Sequence, residues 1–136
     1  MERKLTELVG TSPDRAVRFT VLGEPRSKQR PRVTQRGTFT PKETLEQERA
    51  VRSAWRATGE QMFEYDMVID IDFYNSTRHR RDIDNMAKLV LDALNKEAFP
   101  DDYRVVGLNL RKFFTRSGQA RTEVAIKEVI LWPDES

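Results

Sequence analysis

The stretch 67–94 restricts the fold of this chain more than any other. Met67, Ile69, Ile71 and Phe73 alternate with Val68, Asp70, Asp72 and Tyr74, which is the period of a strand with one buried face. After a charged turn over 75–81, Met86, Leu89, Val90, Ala93 and Leu94 recur at helical spacing, with Asn85, Lys88, Asp92 and Asn95 on the opposite, polar face. A strand feeding an amphipathic helix through so short a turn must fold the helix back over the sheet, because each has one apolar face to cover.

The other elements follow the same rules. Val17, Phe19 and Val21 alternate with Arg18 and Thr20, predicting a half-exposed strand. Gly23, Pro25 and Pro31 punctuate a basic loop over 23–37 with little regular structure. Thr40-Pro41-Lys42-Glu43 reads as a helix start, with Thr40 as N-cap, Pro41 in the first helical position and Glu43 closing a capping box. Leu45, Val51, Ala54 and Trp55 supply the buried side of that helix, and Gly59 stops it. Asp82 or Asp84 caps the second helix. Phe99-Pro100-Asp101-Asp102 ends it and feeds a strand near 104–114, and Ser117-Gly118 marks a turn before a last strand over roughly 121–131. Residues 1–14 carry no pattern and read as an N-terminal tail, leaving 15–136 as a single domain. The order β–α–β–α–β–β predicts an α+β fold, a small mixed β-sheet with two helices packed on one face.

Composition narrows the chemistry. The chain has no cysteine and His79 as its single histidine, which excludes disulfides, thiolate zinc and His-rich metal sites. Any metal is then held by oxygen ligands, which selects Mg²⁺, Mn²⁺ or Ca²⁺. No apolar run approaches the roughly 20 residues that cross a bilayer, so no membrane is expected. The start MERKLTELVG has no secretory apolar region, and with the missing cysteine this agrees with a cytoplasmic location. The net charge of +2 hides an uneven distribution. Residues 26–36 contain Arg26, Lys28, Arg30, Arg32 and Arg36 and no acid, and Arg78, Arg80 and Arg81 form a second cluster. Such clustering fits a surface for a polyanion, although each cluster alone is equally a solvated loop.

Asp82-Ile83-Asp84-Asn85 puts two carboxylates two residues apart at a strand-to-helix junction, where they can converge on one cation. The bland reading is a helix cap stabilised by the positive end of the dipole. Asp101-Asp102 follows the helix by one short turn, and a helix folded back on a sheet can bring both acidic segments to one rim. The bland reading there is an exposed turn. Lys88 lies one helical turn beyond Asp84, where it can meet a phosphate or merely form an i,i+4 ion pair. Acids for a metal beside a base for phosphate are what metal-assisted phosphodiester cleavage requires. Asp72, on the polar side of the strand, is a further acid that could join them or simply face solvent.

These residues carry a resemblance. Arg80-Arg81-Asp82-Ile83-Asp84-Asn85-x-x-Lys88, then Asp92-Ala93-Leu94-Asn95-Lys96, then Phe99-Pro100-Asp101-Asp102-x-x-Val105-Val106 resembles the central signature of the RusA family of Holliday-junction resolvases. Gly23-x-Pro25-x-x-Lys28-x-Arg30-Pro31-Arg32 is similar to the N-terminal loop of RusA-like phage proteins. The resemblance implies a RusA-like fold and cleavage of four-way junctions in branched DNA by a symmetric homodimer. It implies Mg²⁺ as cofactor, with Mn²⁺ a substitute, and the cytoplasm of the bacterial host as location. Residue by residue, it implies that Asp82, Asp84 and Asp102 bind the metal, with Asp101 beside them, and that Lys88 is needed for cleavage. Lys28, Arg30, Arg32, Arg80 and Arg81 are the residues expected on DNA.

Other readings fit less well. A restriction-type nuclease core needs an acid-x-Lys strand after Pro100-Asp101, and residues 105–114 contain no acid. A purely DNA-binding module gains nothing from four carboxylates near its phosphate-binding surface, since they repel the ligand unless a cation lies between. A structural Ca²⁺ site of the EF-hand type lacks its glycine-containing loop.

Overall fold

The structure, a computed structural model, describes residues 15–29 and 32–129. The expected 1–14 tail and residues 130–131 of the last expected strand lie outside the described residues. The elements run β1 (Ala16–Leu22), β2 (Arg32–Thr34), β3 (Gly37–Phe39), α1 (Lys42–Ala57), β4 (Met67–Asn75), α2 (Ile83–Leu94), a 3-10 turn (Asp102–Arg104), β5 (Val105–Phe114) and β6 (Arg121–Glu128).

Four strands form the main sheet in the order β1-β6-β4-β5. β6 pairs antiparallel with both β1 and β4, whereas β5 pairs parallel with β4 across the α2 crossover. The sheet is therefore mixed, and α1 and α2 cover one of its faces, the α+β arrangement that the periodicities predict. Rows of apolar side chains cross that face in register. Val17, Ile126 and Ile69 make one row, and Phe19, Val124 and Ile71 the next. Val51 and Trp55 of α1 and Met86, Leu89, Val90 and Ala93 of α2 close over them. Each such side chain contributes about 1.5–3 kcal/mol on full burial, so these rows outweigh any single surface contact. Trp55 lies edge-on to Phe19, with ring centroids 6.1 Å apart, and beside Phe63 at 6.2 Å. The other face is left to solvent and carries charge pairs such as Arg111–Asp72 at 2.8 Å and Lys127–Asp70 at 3.7 Å.

Three sequence expectations are corrected. The basic loop contains a hairpin, β2–β3, with Thr34 opposite Gly37 across a two-residue turn. Gly37 sits at φ 118°, open only to glycine at little strain, and the Thr34 hydroxyl donates to the Gly37 carbonyl at 3.1 Å. Secondly, α1 begins one residue later than the capping box places it. Pro41 is buried in an extended conformation (ψ 145°) and is itself the cap residue, with no side-chain cap bond. Thirdly, the buried stripe of α1 is Thr44, Glu48, Val51 and Trp55, while Leu45 is 38 % exposed. An acid, Glu48, thus stands on the buried stripe, where the apolar set Leu45, Val51, Ala54 and Trp55 was expected. The predicted stop holds, with Gly59 at φ 71° donating its N–H to the Arg56 carbonyl at 3.1 Å.

Candidate active site

The start of α2 is fixed from two sides. Lys112 of β5 donates its ammonium to the Arg81 carbonyl at 2.8 Å, immediately before Asp82. On the other side Glu24, just past β1, accepts from the N–H and hydroxyl of Ser76 at 3.1 and 2.7 Å, and from those of Thr77 at 3.3 and 3.2 Å. Arg81 turns inward toward the same carboxylate at 4.0 Å. Burial pushes the Glu24 carboxyl up, but the hydrogen bonds from Ser76 and Thr77 outweigh it and hold its pKa below the ordinary 4.5. A lowered folded-state value means that the stabilisation is complete above the unfolded pKa and is lost as pH falls through the folded one. Glu24→Gln should therefore lose roughly 2 kcal/mol near neutral pH, the scale of hydrogen bonds to a charged group. It should also flatten the acid limb of stability below about pH 5. Urea unfolding of both proteins between pH 3 and 7 checks this, and parallel acid limbs would overturn it.

Asp82 is the N-cap residue of α2, with ψ 132°, and its carbonyl accepts the Met86 N–H at 3.0 Å. Its carboxylate makes no cap bond. Asp84, in the first turn, accepts the Asn85 N–H on one oxygen at 2.9 Å. Both side chains are exposed.

Asp84, Lys88, Asp92 and Asp102 line one open cavity of about 360 Å³, floored by Leu91, Leu108 and Leu110. The cavity runs between the polar face of α2 and the edge strand β5. The two acidic segments share this trough rather than one rim. Asp84 and Asp92 are eight residues apart, about 12 Å along a helix at 1.5 Å per residue, and Asp102 lies near enough to Asp92 to feel its charge. Asp82 and Asp101 are not among the residues lining the trough. Among the described residues no three His, Asp or Glu side chains are gathered closely enough to hold a metal ion together.

The donor chemistry nevertheless suits a hard cation. Mg²⁺ keeps several waters and takes one or two carboxylates plus phosphate oxygens, which an open pair of acids can supply. The Asp102 carboxyl is held above its ordinary pKa, first by a hydrogen bond with the Asp101 carboxyl, then by partial loss of hydration, and last by the charges of Asp101 and Asp92.

The remaining expected residues divide. Arg80 is exposed on the turn before Asp82, whereas Arg81 is drawn inward to Glu24. Arg30 and the side chain of Arg32 lie outside the described residues. Lys28 does not face solvent freely. Its ammonium lies 2.7 Å from Glu48 and 3.3 Å from Asp92. Asp72 is removed from the trough, because its strand position points it to the opposite sheet face, where Arg111 holds it. The sequence reading missed Glu24 and Glu48. Glu48 was detectable, since it falls four residues after Thr44 and three before Val51, on the stripe that must be buried.

Comparison with protein-family models matches residues 23–127 of the 136-residue chain to the endodeoxyribonuclease RusA family. The chain belongs to the RusA family. Comparison with curated proteins gives no match. The RusA match takes in the trough and the segments that fix it, from Glu24 through Glu48 and Asp84 to Lys112. It makes the chain a member of an endodeoxyribonuclease family. Among the described residues, no helix of this RusA-family chain is long and apolar enough to cross a membrane.

Proposed function

We propose that the protein is a Mg²⁺-dependent, structure-selective endodeoxyribonuclease that resolves four-way DNA junctions by paired nicks. One juxtaposition carries this reading: Asp84, Lys88 and Asp102 on the walls of a single open trough, in a chain of an endodeoxyribonuclease family. Asp82, Asp84 and Asp102, with Asp101 beside them, would hold Mg²⁺, and Mn²⁺ has the same oxygen preference. The bound ion supplies Lewis acidity and a more acidic water. Lys88, exposed one turn beyond Asp84, meets a non-bridging phosphate oxygen and stabilises the charge that grows there. In the hydrolysis a water oxygen bonds to phosphorus, one P–O ester bond breaks, and the departing oxygen is protonated.

Arg78 and Arg80 on the exposed turn, and Arg36 on the hairpin, grip backbone phosphates along the arms, which gives salt-dependent binding without base readout. A junction is resolved by cutting two strands of like polarity, so two copies of one site about a two-fold axis suit the substrate, and the enzyme acts as a homodimer. Its substrate arises in the bacterial cytoplasm.

Incubation of the purified protein with end-labelled four-way junction, fork and linear duplex, with and without Mg²⁺, tests the reading. Symmetric paired nicks confined to the junction and dependent on the cation are expected. Equal cutting of linear duplex makes the protein a general nuclease, and tight junction binding without cutting makes it a binding protein.

A further inference from the structure

The polar stripe of α2 contains an ion pair that spacing favours and the structure does not form. Asp84 lies four residues before Lys88 and Asp92 four after, each at the separation at which a helix can pair opposite charges. Yet Asp92 is engaged by Lys28 at 3.3 Å, and among the described residues Lys88 takes part in no ion pair. Lys28 is itself held in place. Its backbone N–H donates to the Asn85 carbonyl in the first turn of α2 at 2.9 Å, and its ammonium donates to Glu48 of α1 at 2.7 Å. The Glu48 side chain is 11 % exposed and that of Lys28 25 %, so this pair is well shielded from water.

We propose that Lys28 is a positioning residue that neutralises Asp92 and so keeps the Lys88 ammonium available to the scissile phosphate. Glu48 draws the Lys28 ammonium inward, and Lys28 in turn holds Asp92. Without that cation Asp92 would present a bare negative charge to the incoming phosphate and pair with Lys88 along the helix. Burial alone lowers the pKa of the Lys28 ammonium, but the hydrogen bonds and charges of Glu48, and after it Asp92, more than offset this and keep it protonated. Lys28, expected on DNA, thus reaches the chemistry through α2 instead of through a phosphate of its own.

The inference rests on the reading of Lys88 given above, and the test separates the two. Lys28→Met alone would strand the shielded Glu48 charge, so Lys28→Met is combined with Glu48→Gln. That double variant should lose about tenfold in kcat on a four-way junction with KM changed less than about threefold, a coupling usual for charges in one network. Adding Asp92→Asn should restore kcat to within about threefold of wild type, since it removes the charge that Lys28 neutralised. Lys28→Arg, which keeps the charge within reach of both carboxylates, should retain at least about half the rate.

Competitive amine labelling of Lys88, read by mass spectrometry, gives a measure free of activity. Pairing with Asp92 should cut the labelling of Lys88 about threefold in the double variant, and Asp92→Asn should reverse this. Failure of Asp92→Asn to restore either readout overturns the proposal, as does a Lys28→Arg variant as impaired as Lys28→Met/Glu48→Gln. A Lys88→Ala protein that cuts at the wild-type rate overturns the reading of the site, and the labelling still decides the role of Lys28.

Discussion

Asp82→Asn and Asp84→Asn should each lower Mg²⁺-dependent junction cleavage by about 10³-fold or more, the scale at which an enzyme loses a principal means of stabilising transition-state charge. Junction binding should hold or tighten, because each change removes a negative charge from a surface that meets phosphate. Stability distinguishes this outcome from the bland reading of these acids as helix caps. The Asp82 carboxylate makes no cap bond, so Asp82→Ala should unfold within about 0.5 kcal/mol of wild type, where loss of a working cap costs typically about 1 kcal/mol. Asn at position 84 can still accept the Asn85 N–H, so that variant also should keep its fold. Asp102→Asn should follow the same pattern, because Asp102 lines the trough. Single-turnover cleavage, a binding titration and urea unfolding on the same preparations check all of these. Wild-type cutting by either the Asp82 or the Asp84 variant would remove that residue from the site.

Lys88→Ala should lower cleavage about 10²-fold, as loss of one charged donor to a developing oxyanion does. Binding should weaken only about threefold, since one phosphate contact among several is a small part of the electrostatic affinity. The fold should be indifferent to the change within about 0.5 kcal/mol, because the side chain is exposed and forms no ion pair among the described residues. The informative quantity is the ratio of the two losses. If binding and cleavage fall equally, Lys88 is a phosphate anchor without a part in the chemistry.

These predictions draw on features of very different legibility. β4 and α2 can be read directly, because each carries a long, regular apolar period, and burial of a whole face leaves one register open to each. The β2–β3 hairpin escapes notice because its strands have three residues each, too short to display a period among prolines and arginines. The start of α1 shifts by one residue because local capping chemistry is weak beside the burial of Pro41. Glu48 reads as surface charge by residue type and becomes an interior acid only once Lys28 is brought to it from 20 residues away.

The acidic site shows the same division. Residue types and spacings in 80–106 offer candidate acids and a lysine, and the resemblance to the RusA family implies Asp82, Asp84, Lys88 and Asp102 as a set. The sequence by itself thus determined the two helices, the alternating strands and the oxygen-only character of any metal site. Tertiary structure alone decided the strand order β1-β6-β4-β5, the placing of Asp72 with Arg111 on the far face, the inward turn of Arg81 and the pairing of Asp92 with Lys28 in place of Lys88. The reason is that a charged group settles with the best partner within a few ångströms. Which partners come that close is set by the packing of apolar faces far apart in the chain, on which the charges themselves have little influence.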